Sequence, residues 1–334
     1  MRYLLILPAA FMILAASSLQ AQTRAMPGLA STATATPISQ TYFFGDSDSD
    51  TGNLFVLFAG VVNGPPNYWE GRSSNGPVWP EYFAGDLGAD STASELGGTN
   101  YATGASWTTG PDPNLNLDQF FHTLAGQVSD YLTNGAPPAP DALYSISIGS
   151  GDPLPLLAGA TDPAPGVAEI EVAIGALYDA GARRFVVSTL RTTGSFPLYK
   201  EAFNVLLTAQ LPGLEASLAG SQIHLFDRAE LLLQLLADPV AFGFTSSGTC
   251  VPDQNDPVTY PGDPACIAEV QTDIALGRPV GDTYYSHDVD HTTTAVHRLV
   301  ADGVLDAIPE PSAGMLLVFG AAWLAGLSML KGGT

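Results

Sequence analysis

The sequence predicts a three-layer α/β/α sandwich with a central, mostly parallel sheet. Short β-favouring runs alternate with helix-periodic stretches from Thr41 to Ala307, a pattern that calls for a sheet covered by helices on both faces. In such a sheet the working residues gather at the carboxyl ends of the strands. Here those ends carry Ser47, Gly104, the run Gly149 to Asp152, and Thr192 to Ser195. Between two atypical termini lie about 270 residues, enough for one large α/β domain over residues 39–308.

Taken in order, Thr41 to Gly45 is an aromatic strand that stops at a glycine. Ser47 falls in the turn after it, and Thr51 is expected to cap a helix over Leu54 to Ala59. Gly71 to Phe83 reads as a loop entering a helix, its entry set by Pro77 and Pro80. Asn100 to Ser106 reads as a strand running into a loop of small residues. Leu117 to Leu132 has helical spacing, with Phe120, Leu124, Val128 and Tyr131 on one face. The spacing of Asp112, Asn114 and Asn116 suggests a calcium loop, but the central glycine is missing. Thr123 stands where a bidentate glutamate is required, so no metal site is expected there.

Ala142 to Ile148 is a β-rich run ending in Gly149-Ser-Gly-Asp152. Val167 to Ala180 is an amphipathic helix closed by Gly181, and Arg184 to Leu190 is a buried strand. A helix over Tyr199 to Leu218, a strand over Gln222 to Asp227 and a helix over Glu230 to Leu236 follow. Residues 238–285, rich in Pro, Gly and Asp, are expected to form a long surface excursion. The final helix is expected from Thr292 to Ala307, with Thr292 as its cap.

The termini have their own chemistry. Residues 1–21 open on Arg2, run apolar from Tyr3 to Ala16 and reach small residues at Ala21, the pattern of a secretory signal peptide. Residues 22–38 are rich in Ala, Thr, Ser and Pro without apolar period and read as a disordered leader. In residues 309–334, Pro309-Glu-Pro311 precedes an uncharged stretch from Ala313 to Leu330, long enough for a transmembrane helix. This tail resembles the PEP-CTERM sorting tail, with one Lys331 where that family has an arginine cluster. The resemblance implies export through the inner membrane, anchoring by the C-terminal helix, and an exosortase-type processing enzyme as a partner.

The formal net charge of −22 repels phosphate backbones and excludes nucleic acid as a partner. Cys250 and Cys266 fit a single disulfide in an oxidising compartment, and no Cys-x-x-Cys motif or neighbouring histidine favours a metal instead.

A serine nucleophile needs a base and a carboxylate to orient it. Of the five histidines, His291 has an aspartate, Asp288, three residues before it at the mouth of a helix. That spacing lets Asp288 hold one ring nitrogen while the other faces Ser47. His287 is the rival base, whereas His297, inside the helix, is expected to be packed, and His122 and His224 to be structural. The Gly-x-Ser-x-Gly nucleophile motif is absent, which argues against an ordinary α/β-hydrolase.

Four blocks then resemble one family, the SGNH or GDSL-type hydrolases, in their bacterial esterase, phospholipase and haemolysin-like branch. They are Phe43 to Asn53, Gly71 to Phe83, Asn100 to Gly104, and Asp288-x-x-His291 with His297, together spanning roughly residues 40–305. The resemblance implies a flavodoxin-like sandwich and an exported serine esterase or lipase that needs no cofactor. Ser47 would attack, His291 would accept its proton, Asp288 would orient His291, and the N–H groups of Ser47 and Gly104 would hold the oxyanion. The substrate would be a lipid, a short-chain ester or an acetylated extracellular glycan.

Three positions depart from the family. Asp48 replaces leucine, Thr292 replaces proline, and Gly151 replaces the asparagine that donates to the oxyanion. Losing one such donor costs about 10²–10³ in kcat. Water, Ser150 or a backbone N–H is expected to substitute in part, and a catalytically weakened surface or matrix protein is the competing reading.

Overall fold

A computed structural model of the chain describes residues 37–109, 122–152, 162–252, 257–277 and 284–308. The signal-like segment, nearly all of the leader and the apolar tail lie outside these residues. No helix among the described residues is long and apolar enough to cross a membrane.

Strands β1 (Thr41–Gly45), β2 (Leu143–Ser147), β3 (Arg184–Ser188) and β4 (Gln222–Phe226) form a parallel sheet in that order. The helices are α1 (Asn53–Leu57), α2 (Trp79–Leu87), α3 (Leu124–Asn134), α4 (Ala164–Asp179), α5 (Pro197–Ser217), α6 (Arg228–Ala237), α7 (Pro264–Ala275) and α8 (Thr294–Ala307). Alternate strand residues point to opposite faces, so each strand feeds two cores. Tyr42, Phe44, Tyr144, Ile146, Phe185 and Val187 pack with α3, α4 and α5. Phe43, Leu143 and Val186 pack against α2, α6 and α8 on the other face. That is the expected three-layer sandwich. Burying each of these large side chains contributes about 1.5–3 kcal/mol.

The stretch at Asn100 does not form a strand. It makes a single parallel bridge to Phe43 on the open edge of β1. The Asn100 side chain then turns the chain away, donating to the Ser49 carbonyl at 2.8 Å and accepting from the Ala102 N–H at 2.9 Å. Even so, β1 lies between this bridge and β2, and the chain visits one side and then the other. Such a switch point opens a crevice at the strand carboxyl ends. Gly45 closes β1 there because a Cβ would lie 2.5 Å from the Ser147 carbonyl oxygen.

Other boundaries shifted for local reasons. The first helix is capped by Asp50, not Thr51: its carboxylate accepts the N–H groups of Gly52, Asn53 and Leu54. Thr51 instead donates to the Ser91 carbonyl. Helix α3 starts at Leu124, where the Thr123 hydroxyl accepts the Gly126 N–H. At α8, Thr293 holds the N-cap position in place of Thr292, and the buried Thr294 N–H is taken by Asn75 from the distant 71–78 loop. The 238–285 excursion is more ordered than its composition suggests. It contains α7, capped by Asp263 with Pro264 at its first turn, and a two-stranded parallel sheet of β5 (Ser246–Thr249) and β6 (Tyr284–Ser286). The Cys250–Cys266 disulfide joins these pieces around a small core with Val251 and Val270.

Candidate active site

Ser47 lies just past the end of β1, in a turn held from both sides. Gln127 of α3 clamps Gly45, its amide oxygen accepting the glycine N–H and its amide nitrogen donating to the glycine carbonyl, both at 2.8 Å. Asn53 donates from its side chain to the carbonyls of Asn100 and Ala102, tying this turn to the next loop. The Ser47 hydroxyl is thus set by backbone that cannot relax far.

His291 approaches from the loop before α8, with its Nε2 2.8 Å from Ser47 Oγ. Its Nδ1 is 2.8 Å from both carboxylate oxygens of Asp288. Asp288 in turn accepts the backbone N–H groups of Asp290 and His291 and the Tyr68 hydroxyl, the last at 2.9 Å. Burial raises the carboxyl of Asp288, but the imidazole charge and these donors outweigh it and hold Asp288 below the ordinary carboxylate range. Burial likewise disfavours a charged His291, yet the Asp288 carboxylate overcomes it and pushes the imidazole up to about 9. A base held by a buried carboxylate and facing a hydroxyl is equipped to take that hydroxyl's proton.

The rival base is placed elsewhere. His287 is fully buried, meets Tyr68 edge-on at 5.0 Å, and burial pushes its pKa down to about 4. Its backbone accepts the N–H groups of Cys250 and Val251, so it anchors the disulfide segment. His297 is also fully buried, and burial takes it down to about 3. Neither His122 nor His224 lines the cleft at Ser47.

That cleft has a volume of about 370 Å³. Its oxyanion side corrects one expectation. The Gly104 N–H donates to Asp50 Oδ2 at 2.7 Å and is unavailable to a substrate. The next residue, Ala105, lines the cleft in the left-handed region at φ 60°, and its N–H has no acceptor among the described residues. For a residue other than glycine that conformation costs about 1–3 kcal/mol and is retained where surrounding structure enforces it. The backbone N–H groups of Ser47 and Gly151 are equally without acceptors among the described residues. Ser150 does not stand in for the missing asparagine, because its hydroxyl donates to Asp46. Asp152 is structural: it accepts the Thr108 N–H and hydroxyl and the Tyr199 hydroxyl, joining two cleft loops to α5.

Asp48, where the resemblance has leucine, forms a buried ion pair with Arg228 at 3.0 Å. Burial would raise its carboxyl, but Arg228 and Arg191 hold it below the usual range. The substitution is therefore matched by a partner at the start of α6. Sequence reasoning missed Tyr68, Ala105, Gln127 and Arg228; only Ala105 had a local signal, lying beside the predicted glycine.

With this geometry in place, comparison with known proteins decides the family. The sequence profile of the GDSL-like lipase/acylhydrolase family matches residues 42–304. The chain belongs to that family. The thermolabile hemolysin of Vibrio parahaemolyticus is 29% identical over 291 residues, covering 81% of this chain and 64% of that protein. The phosphatidylcholine-sterol acyltransferase of Aeromonas hydrophila is 27% identical, covering 63% of this chain and 64% of that protein. A GDSL esterase/lipase of Arabidopsis thaliana is 25% identical, covering 48% of this chain and 50% of that protein. The chain spans less than two thirds of the length of each of these relatives.

Proposed function

We propose that the protein is an ester hydrolase working through Ser47, His291 and Asp288. The observation that carries this reading is the unbroken chain of 2.8 Å hydrogen bonds from Ser47 Oγ through His291 to Asp288. Ser47 attacks the ester carbonyl while His291 takes its proton, and Asp288 stabilises the imidazolium that forms. The tetrahedral oxyanion is met by the N–H groups of Ser47, Ala105 and Gly151. His291 then gives its proton to the departing alcohol, leaving an acyl-enzyme on Ser47. A water, deprotonated by His291, attacks that acyl group and returns the carboxylic acid and free Ser47. The family and the names of the esterase and hemolysin relatives support ester chemistry.

The test is hydrolysis of short-chain p-nitrophenyl esters. Wild-type protein is expected to turn over, and Ser47→Ala to lower kcat by about 10⁴–10⁶. No turnover by wild type overturns the reading and favours the second one, a weakened surface or matrix protein, which Gly151 in place of asparagine specifically suggests.

We further propose that the protein is exported. The signal-like residues 1–21 and the Cys250–Cys266 disulfide support this. The Pro-Glu-Pro tail supports membrane anchoring and processing by an exosortase-type enzyme, and with them an acetylated extracellular polysaccharide as a substrate. Fractionation of cells expressing the full chain, with and without residues 309–334, tests the anchoring.

A further inference from the structure

One cation lines the cleft without a hydrogen-bonded or ion-paired anion among the described residues. Lys200 of α5 is only 2% exposed, and it lines the cleft together with Ser47 and Gly151. Its ammonium donates no hydrogen bond and forms no ion pair among the described residues. Arg191, 4% exposed, follows the end of β3 but does not line the cleft, and its charge acts on Asp48. An ammonium so little exposed and without a partner is costly, and proteins ordinarily pair it or shift its pKa.

The nearby acids Asp290, Asp48 and Asp46 act on Lys200 through space, but each is bonded to another group. Asp48 is taken by Arg228 at 3.0 Å. Asp290, which also lines the cleft, accepts the N–H and hydroxyl of Ser195, each at 3.0 Å. Asp46 accepts from Ser150 and from the Asp48 N–H. The N-terminus of α5 adds to the positive potential: this helix of 21 residues begins at the cleft after Phe196, with no acidic residue in its first turn.

We propose that Lys200 and the N-terminus of α5 form an anion subsite of the substrate cleft, which takes a carboxylate or phosphate carried by the ester. The proposal rests on the esterase reading and adds to it a substrate class. An anion held here would supply the partner that Lys200 lacks, and would lie beside the scissile carbonyl in the same cleft. It also gives the acidic protein a local means of accepting a substrate that its overall charge of −22 repels. Burial, with Arg191 next, pushes Lys200 down to about 8, so the ammonium is largely charged at neutral pH and responsive to a bound anion.

The experiment compares matched esters: mono-p-nitrophenyl succinate against its neutral methyl ester, and a phosphate-bearing p-nitrophenyl ester against its neutral dimethyl phosphate. Wild type is expected to favour the charged member of at least one pair by about tenfold or more in kcat/KM, and the preferred pair distinguishes carboxylate from phosphate. Lys200→Met should collapse that ratio through KM, and Lys200→Arg should retain it. A wild-type ratio of one, or a ratio that Lys200→Met leaves unchanged, overturns the proposal. If wild type hydrolyses neither member, the esterase reading fails separately. The subsite is then read by calorimetric titration with inorganic phosphate and with succinate. Binding weakened about tenfold by Lys200→Met supports the subsite; no binding, or equal binding to both proteins, overturns it.

Discussion

In the proposed mechanism side chains carry the chemistry on one side of Ser47, and the backbone carries it on the other. His291, Asp288 and Tyr68 form a connected series in which each group has a partner within 2.9 Å. Across the cleft the expected side-chain donor is missing, and the N–H groups of Ser47, Ala105 and Gly151 are proposed in its place. Side-chain chemistry of the first kind is set by residue identity, so it survives small loop movements. Backbone donors depend on loop conformation, and here on a left-handed Ala105 that Asp50 helps to impose by taking the Gly104 N–H. The acid–base side is therefore robust in chemistry, and the oxyanion side is robust only while its loops stay put.

The largest test of this contrast is Asp288→Asn. It leaves the geometry nearly unchanged but favours the wrong His291 tautomer, so kcat should fall by about 10⁴. A loss under tenfold would show that Asp288 does not orient the base. Next in size is Gly151→Asn on the opposite side. A Cβ at this position would meet Ser106 and Trp107 at ordinary contact distances of 3.4 Å and beyond, so the side chain has room. Its amide should raise kcat by about 10–10² if the backbone donors are insufficient. Unchanged kcat would mean that Ser47, Ala105 and Gly151 already complete the site.

The smallest effect concerns pH. His291 must be neutral to accept a proton, and its pKa is pushed up to about 9 from the ordinary 6.5. Wild-type kcat/KM should therefore rise with pH and level off only above about 9. Stability runs the other way. The raised pKa means that the folded state holds a proton the unfolded chain releases first. That contribution is complete below 6.5 and is lost as pH rises through about 9, so Tm should fall over the range in which activity grows. An activity midpoint near 6.5 would indicate that Asp288 does not stabilise the imidazolium in solution.

Much of the proposed acid–base side is legible in the sequence. Asp288 and His291 are three apart at a helix mouth, and Ser47 follows a strand that ends in glycine; both are local patterns. On the proposed oxyanion side the donor moves one residue along, because the Gly104 N–H is taken. Whether Gly104 or Ala105 offers its N–H depends on Asp50, 54 positions away in the chain. Ser150 looked available for the same reason, since its partner Asp46 is 104 positions away. Helix α7 was hidden because Pro, Gly and Asp dominate its flanks, although Asp263 and Pro264 are themselves start signals.

By itself, the sequence determined the alternation of strands and helices and the pair of cysteines, and it pointed to Ser47, His291 and Asp288 as the residues proposed for the triad. These follow from periodicity and short spacings, which act within a few residues. Only the tertiary structure decided that Tyr68 reaches Asp288 across 220 positions, that Arg228 answers Asp48, and that Lys200 is buried facing the cleft. Hydrogen bonds and ion pairs fall off within a few ångströms, so such partners are chosen by where the folded sheet brings distant loops together.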